Sequence, residues 1–248
     1  MLEIKNLYKS FDGVKAVQDF SLTLEAGKVT SLIGPNGAGK TTVFNIATGF
    51  LAASKGDVLF HGERITGMAP WKITRKGISR TFQNLRLFRK LTAVENVLLG
   101  RQNQLGEHLL RALFTFSENS PEHRQNLERA VEQLTFLRLQ ENKNDLAENL
   151  SYGQQKLLSI ACCLATEPEL VMLDEPVSGV QPAMVEKIET AIRELIRRGK
   201  TVFLIEHDID FVLRISDTVV VMDDGCKIAE GTPDLIRNKP EILEAYLS

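Results

Sequence analysis

A glycine-rich segment near the N-terminus ends in a lysine and two threonines, a combination suited to holding phosphate groups. Its residues are Gly34, Pro35, Asn36, Gly37, Ala38, Gly39, Lys40, Thr41 and Thr42. They fit the pattern G-x-x-x-x-G-K-[ST], in which glycines let successive backbone N–H groups turn toward phosphate oxygens. We expect Lys40 to reach the β- and γ-phosphates of a nucleotide and Thr41 to ligate Mg²⁺. The apolar strand before the segment and the helix after it are the context that this pattern requires.

Two acidic residues, Asp174 and Glu175, directly follow a second apolar stretch at residues 170–173. A carboxylate at the C-terminal tip of a strand beside a phosphate loop is where Mg²⁺ needs an anionic ligand. We therefore expect Asp174 to hold Mg²⁺ through water and Glu175 to act as general base on an attacking water. An Asp-Glu pair more often lies in a solvated loop, but the apolar stretch and the upstream phosphate loop favour the functional interpretation.

A third segment, residues 150–155, combines a helix start with a possible anion site. Ser151 and Gln154 have the spacing of a capping box, which predicts a helix over residues 154–165. The capped helix end, including Gly153, could also meet a γ-phosphate held by another subunit. One nucleotide seldom needs two such segments from one chain. We therefore expect this chain to share its ATP with a second copy or a relative.

Two polar residues are weaker candidates when each is taken alone. His207 follows the apolar strand at residues 201–205 and Glu206. Because strand tips form the ligand crevice of a parallel sheet, His207 could polarise the γ-phosphate or hold the attacking water. A single histidine is usually structural or incidental, and Gln83 in its loop would normally be just solvated.

The elements that must position these residues alternate between strands and helices. This alternation predicts a mainly parallel sheet covered on both faces. Before it, residues 2–8 and about 17–24 alternate as strands around a turn at residues 11–13, which predicts a small antiparallel layer. Residues from about 91 to 165 instead have helical periodicity and a polar break at residues 117–121, which predicts a helical insertion. The other expected elements are strands at residues 29–33, 58–60 and 218–222 and helices at residues 41–48, 122–139 and 183–198.

Composition narrows the function classes. The chain has 248 residues and is 43% hydrophobic, which is enough for a sizeable core. Its net charge is −2, so the molecule as a whole does not attract nucleic acid or membranes. Three cysteines form no spaced framework, which indicates a reducing compartment. No apolar run approaches the roughly 20 residues that span a bilayer. Residues 64–90 contain eight basic residues and no acid, which is either a solvated surface or a face toward an anionic membrane or membrane-bound partner.

Taken together, these segments resemble the ATP-binding-cassette family over essentially the whole chain. The family's elements occur in order: the phosphate loop at 34–42, the glutamine loop at Gln83, the signature at 150–154, the pair Asp174 and Glu175, the loop at 178–179, and the switch His207. The resemblance implies an α/β P-loop NTPase with a RecA-like, mainly parallel sheet core, an N-terminal antiparallel β layer and an inserted helical subdomain. Residues 1–248 would form a single nucleotide-binding domain. Its ATP-binding core would be approximately residues 1–86 and 166–248, and its helical subdomain approximately residues 87–165.

The resemblance also implies roles for residues and two cofactors, ATP and Mg²⁺. Glu175, His207 and Gln83 would serve catalysis, and Thr41, Gln83 and Asp174 would hold the metal. The phosphate loop would bind ATP, Phe11 would stack on its adenine, and Ser151, Gly153 and Gln154 would contact the ATP of an opposite subunit. A packed hairpin aromatic is the alternative for Phe11.

A closer similarity is to the ATPase subunits of bacterial high-affinity branched-chain amino acid importers. It is carried by residues 44–45, 48–50, 80–88, Tyr152 and 244–247. Lys156 stands where an arginine is more usual, and residues 177–182 are an uncommon form of their loop. The similarity implies an ATP-hydrolysing importer subunit for amino acids, driven by dimerisation of two cassettes. It would lie peripherally on the cytoplasmic face of the bacterial cell membrane.

The implied partners are a second ATPase subunit, identical or paralogous, transmembrane permease subunits and, indirectly, a periplasmic or extracellular substrate-binding protein. No nucleic acid is expected. Leu85, Leu87 and Phe88 are apolar for a loop, which suggests either docking of a membrane-subunit helix or packing of the helical insertion. Two other functions stay open: a lipopolysaccharide-extracting ATPase, which residues 80–88 disfavour, and a soluble cassette acting on nucleic acid or ribosomes. The single cassette and the net charge disfavour the latter.

Overall fold

The computed structural model describes residues 1–101 and 121–238. Two segments used in the predictions above lie outside these residues. They are residues 244–247, which contribute to the similarity with importer ATPases, and most of the predicted polar break at residues 117–121.

The centre of the fold is a six-stranded sheet with the order β10-β9-β3-β8-β7-β6. Its strands are β3 (Val29–Ile33), β6 (Ile78–Arg80), β7 (Leu170–Asp174), β8 (Thr201–Ile205), β9 (Thr218–Asp223) and β10 (Cys226–Gly231). Neighbouring strands are parallel except for the antiparallel pair β9 and β10. Every residue of β3, β7 and β8 is buried, as expected for parallel strands with both faces covered. The predicted mainly parallel sheet is confirmed.

A second, four-stranded antiparallel sheet has the order β2-β1-β4-β5. Its strands are β1 (Leu2–Phe11), β2 (Val14–Leu24), β4 (Lys55–Phe60) and β5 (Glu63–Arg64). Asp12 and Gly13 form the turn between the first two strands, both with positive φ. This sheet is the predicted N-terminal layer.

Eight α-helices connect and cover the sheets within the described residues. They are α1 (Lys40–Ala47), α2 (Pro70–Arg75), α3 (Ala93–Leu99), α4 (Pro121–Phe136), α5 (Tyr152–Leu164), α6 (Pro182–Arg197), α7 (Ile209–Ile215) and α8 (Pro233–Arg237). Helices α3, α4 and α5 pack on one another within the segment predicted to be a helical insertion. The division into a core and a helical subdomain at residues 87 and 165 stays a prediction.

Two hydrophobic clusters occupy the two faces of the six-stranded sheet. Along β7, Val171 and Leu173 join the cluster that includes α3 to α6. Leu170 and Met172 join the cluster that includes the antiparallel sheet and α1. This alternation fixes the register of β7, because a slip of one residue would exchange its two faces. Its carboxyl end therefore has a defined position at the edge where β3 and β8 also end.

Among the residues that the structure describes, no helix is both long and apolar enough to cross a membrane.

Candidate functional site

The phosphate loop leads from β3 into α1, as its sequence pattern requires. Gly34 and Gly39 have φ values of 154° and 97°. A Cβ atom at Gly34 would lie 2.1 Å from the carbonyl oxygen of Met222, and one at Gly39 would lie 2.2 Å from that of Ala16. Both contacts are with backbone that cannot easily move. The tight curl of the loop therefore depends on glycine at these two positions.

Lys40, the first residue of α1, is turned back into the loop. Its Nζ donates hydrogen bonds to the carbonyl oxygens of Gly34, at 2.5 Å, and Pro35, at 2.8 Å. The side chain is buried, and burial lowers the pKa of Lys40 while the carboxylates of Glu175 and Asp174 oppose that fall. The ammonium is thus held beside the backbone that would surround a phosphate.

Glu175 is held between two other predicted residues. Its Oε2 accepts a hydrogen bond from Nε2 of Gln83 at 3.0 Å, and its Oε1 lies 2.8 Å from Nε2 of His207. The backbone of Glu175 has a φ of 49°, an uncommon conformation for a residue with a Cβ atom. Strained backbone of this kind tends to occur at functional sites.

These residues line one open cleft with a volume of about 300 Å³. Its lining consists of Ala16, residues 36–42 of the phosphate loop, Gln83, Glu175 and His207. The structure therefore brings together the predicted phosphate loop and the three residues predicted to serve catalysis. It does so from four separate parts of the chain.

The comparison with known proteins agrees with this geometry. Residues 17–178 match the family model described as ABC transporter. The chain belongs to this family. Over all 248 residues it is 43% identical to the high-affinity branched-chain amino acid transport ATP-binding protein BraF of Pseudomonas aeruginosa, and 41% identical to LivG of Escherichia coli. The alignments cover 97% of each relative.

Solved cassettes share the fold of this one. A nucleotide-free ATP-binding cassette from an ABC transporter superimposes with a TM-score of 0.88 at 36% identity, covering 100% of this chain and 99% of that one. A dimeric bacterial ABC transporter cassette superimposes with a TM-score of 0.78 at 28% identity, covering 94% and 99%. The predicted family and fold class are confirmed.

Asp174, the predicted metal ligand of the cassette, forms a buried ion pair that the sequence analysis missed. Its Oδ2 accepts a hydrogen bond from Arg80 at 2.7 Å, and both side chains are at most 5% exposed. Burial raises the pKa of Asp174 even though the charge of Arg80 opposes the rise. Arg80 also donates to Asn45 and Thr48. In the sequence, Arg80 is one of the eight basic residues at 64–90, and nothing there indicates that it is buried.

The donor set fits Mg²⁺ that arrives with a nucleotide. The described residues contain no group of three or more His, Cys, Asp or Glu side chains that could hold a metal ion without help. Mg²⁺ usually takes one or two carboxylates and completes its octahedron with water and phosphate oxygens. The hydroxyl of Thr41 and the amide oxygen of Gln83 line the cleft. The carboxylate of Asp174 lies outside the lining, paired with Arg80. All three are oxygen donors of the kind that Mg²⁺ takes, and Asp174 would act through water.

Phe11 and the signature residues lie outside the lining of this cleft. Phe11 is 44% exposed at the end of β1. Ser151 caps α5, where its Oγ accepts from the N–H of Gln154 and its own N–H donates to Oε1 of Gln154. The capping box is therefore present, and α5 begins two residues earlier than predicted. The nucleotide contacts of all these residues stay predictions.

Packing against α6 also requires glycine at position 153, in addition to its predicted contact with ATP. A Cβ atom there would lie 2.6 Å from Cγ of Met184 on α6. The sequence predicts that Gly153 contacts the ATP of an opposite subunit. Packing within the chain is a second requirement at the same position.

Two buried charged residues lie beside the site although the sequence did not place them there. Lys156 on α5 is 4% exposed, and its Nζ donates to the carbonyl oxygen of Glu175 at 2.7 Å. Glu206 is 1% exposed; its Oε1 accepts from the N–H of Val177 at 2.7 Å and its Oε2 from the N–H of His207 at 3.0 Å. Burial raises the pKa of Glu206 to about 7. Its place between a buried strand and His207 was the only available signal for Glu206.

Proposed function

We propose that this chain is the ATP-hydrolysing subunit of an importer for amino acids, with branched-chain amino acids as the substrate class. The observation that carries the proposal is the position of the Glu175 carboxylate. It lies between Gln83 and His207 in the cleft that the phosphate loop lines. The names of the relatives supply the substrate class.

In this proposal, the backbone N–H groups of the loop hold the phosphates and Lys40 exchanges its two carbonyl partners for phosphate oxygens. Glu175 accepts a proton from the attacking water, while His207 and Gln83 orient that water and the γ-phosphate. Mg²⁺, held by Thr41, Gln83 and Asp174, would neutralise charge on the phosphates when it is bound. Phosphoryl transfer depends mostly on such positioning and charge stabilisation.

We further propose that each ATP is completed by a second cassette, identical or paralogous. Ser151, Gly153 and Gln154 would contact the nucleotide of the opposite subunit. Two facts support this arrangement: these residues are absent from the lining of their own chain's cleft, and a cassette with the same fold is dimeric. Phe11 would stack on the adenine.

The permease subunits would dock beside the glutamine loop. Phe50, Trp71 and Phe88 are 45%, 56% and 61% exposed, and a groove of about 250 Å³ runs between α2 and residues 78–87. Apolar grooves rimmed by charge suit a short amphipathic helix. Leu87 lines this groove and also packs partly against the core, whereas Phe88 is exposed and lies outside the groove's lining. In this proposal Phe88 contacts the permease, and Leu87 also has a packing role. The subunit would then lie peripherally on the cytoplasmic face of the cell membrane, with a substrate-binding protein acting indirectly on the far side.

The relatives favour import over the two other functions. The relatives BraF and LivG carry branched-chain amino acid transport in their names, which mention neither lipopolysaccharide nor nucleic acid. We keep the division into a core of approximately 1–86 and 166–248 and a helical subdomain of approximately 87–165 as part of this proposal.

Replacement of the general base tests the proposal. Glu175→Gln should lower ATP turnover of the assembled transporter by about 10²–10⁴-fold, abolish leucine uptake into vesicles, preserve ATP binding and accumulate an ATP-bound dimer. Glu141→Gln, the same change at an exposed position, serves as the control. Near-normal turnover in Glu175→Gln would overturn the assignment of the base. ATP turnover that no branched-chain amino acid stimulates would overturn the substrate class.

A further inference from the structure

The carbonyl group of Glu175 has an unusual partner. Lysine is almost never fully buried unless its charge is paired, yet Lys156 is 4% exposed and directs its ammonium at a backbone carbonyl. The distance of 2.7 Å is that of a short, charge-assisted hydrogen bond. The same carbonyl also accepts a longer bond of 3.4 Å from the N–H of Ser178.

Both backbone groups of Glu175 are thus anchored while its φ is 49°. Its N–H donates to the carbonyl of Ile205 at 3.0 Å, and its carbonyl accepts from Lys156. A strained conformation of this kind persists only when its surroundings enforce it. The direction of the Glu175 side chain, and hence its distances to Gln83 and His207, follows from this backbone.

Lys156 comes from the helix whose first turn carries the signature residues. It lies five positions after Ser151, which is about 7–8 Å along a helix. The ring of Tyr152 lies 5.6 Å from the Lys156 ammonium. Tyr152 also reaches the loop that follows Glu175, since a Cβ atom at Gly179 would lie 3.3 Å from its ring. Helix α5 therefore contacts the backbone of Glu175 through Lys156, and Tyr152 in its first turn lies close to the loop that follows Glu175.

We propose that Lys156 is a positioning residue, which fixes the backbone of Glu175 and links the start of α5 to hydrolysis in the same chain. A movement of α5, when Ser151 meets the nucleotide of a second subunit, would shift the Glu175 carbonyl and so the water-activating carboxylate. This inference deepens the proposed function and rests on Glu175 being the general base. It assigns Lys156 no contact with ATP.

Three substitutions separate positioning from simple stability. Lys156→Met removes the donor with little change in length, Lys156→Gln keeps a shorter donor, and Lys156→Arg keeps a charged donor. We expect kcat of the assembled transporter to fall about 10–100-fold in Lys156→Met, the cost of a small misplacement of a catalytic group. The kcat of Lys156→Gln should lie between those of Lys156→Met and the parent. The kcat of Lys156→Arg should stay within about threefold of the parent's. The KM for ATP and the ATP affinity should change less than about threefold in all three.

Lys187→Met, the same change at an exposed lysine of α6, is the matched control and should keep the parent's kcat. Folded protein is quantified by its unfolding transition, so that kcat refers to folded molecules. If Lys156→Met fails to fold, the kcat values of Lys156→Gln and Lys156→Arg test the positioning role. Equal kcat in Lys156→Gln and the parent, or a kcat in Lys156→Arg as low as in Lys156→Gln, would overturn the inference.

The reference variant Glu175→Gln keeps the two proposals apart. If it retains turnover, the general-base assignment fails, whatever the lysine variants do. If it loses turnover while all the Lys156 variants match the parent, the proposed function stands and only the positioning role is refuted.

Discussion

The buried carboxyl group of Glu206 should make the stability of this cassette fall as the pH rises through neutrality. Glu206 is 1% exposed, and burial raises its pKa from the ordinary 4.5 to about 7. The backbone N–H groups of Val177 and His207 and the charge of Lys156 oppose the rise without cancelling it. The folded protein therefore holds this proton at a pH where the unfolded chain has released it.

The sign and size of the effect follow from linkage. A folded-state pKa above the unfolded value contributes stability that is fully present below pH 4.5 and is lost as the pH rises through about 7. At about 1.4 kcal/mol per pKa unit, the complete loss is about 3 kcal/mol. Between about pH 5 and about pH 8 the loss is about 2–3 kcal/mol, since part of it is complete by about pH 5.

Glu206→Gln isolates this term, because glutamine is neutral throughout. The free energy of unfolding of the nucleotide-free chain is measured in urea at several pH values for the parent and the variant. The free energy of unfolding of the parent minus that of the variant should fall by about 2–3 kcal/mol from about pH 5 to about pH 8. Glu141→Gln at an exposed site controls for the loss of one surface charge. A difference that does not depend on pH, or one that rises with pH, would refute the reasoning.

Three other results are expected. Lys40→Ala should weaken ATP binding itself, measured by calorimetry, because it removes a cation from the phosphate loop; unchanged affinity would contradict this. Gly153→Asp should block ATP-dependent dimerisation in sedimentation experiments, even when Met184→Ala relieves the internal clash; a dimer regained in the double variant would leave only a packing role. Phe88→Asp should preserve the melting temperature and lose co-purification with membranes, whereas Leu87→Asp should destabilise the chain by about 1–3 kcal/mol, because it buries a charge partly against the core. The reverse pattern would refute the docking surface.

Strands and helices with strong patterns were predictable from the sequence. The strands Val29–Ile33 and Thr201–Ile205 have the predicted bounds, because a short apolar run between turn signals leaves little choice. The start of α5 was predicted from its capping box, with an error of two residues at its beginning. Elements that were not predicted, such as β6 and α2, have three and six residues. Segments this short do not show the hydrophobic periodicity of a strand or a helix.

The site was predictable where a motif places several residues together and hidden where tertiary contacts decide. Glu175, His207 and the phosphate loop meet as expected, because strand tips of a parallel sheet share one edge. Arg80 shows the opposite case. Its basic character suggested a surface, but its guanidinium lies beside Asp174 and 4.7 Å from the ring of Phe82. No spacing rule connects positions 80 and 174, because their proximity depends on the pairing of β6 with β7.

Three features that each cost stability lie around one turn. Arg80 and Asp174 are a buried ion pair, whose desolvation offsets much of their attraction. Glu175 has a left-handed backbone, and Glu206 is a buried carboxyl group that titrates near neutrality. Hydrophobic residues at these positions could be buried without the desolvation cost of a charge. Local rules of sequence are broken at sites that function requires. Since all three features border residues 174–177, we infer that this turn is held rigid for chemistry, with Lys156 and Glu206 as its two anchors.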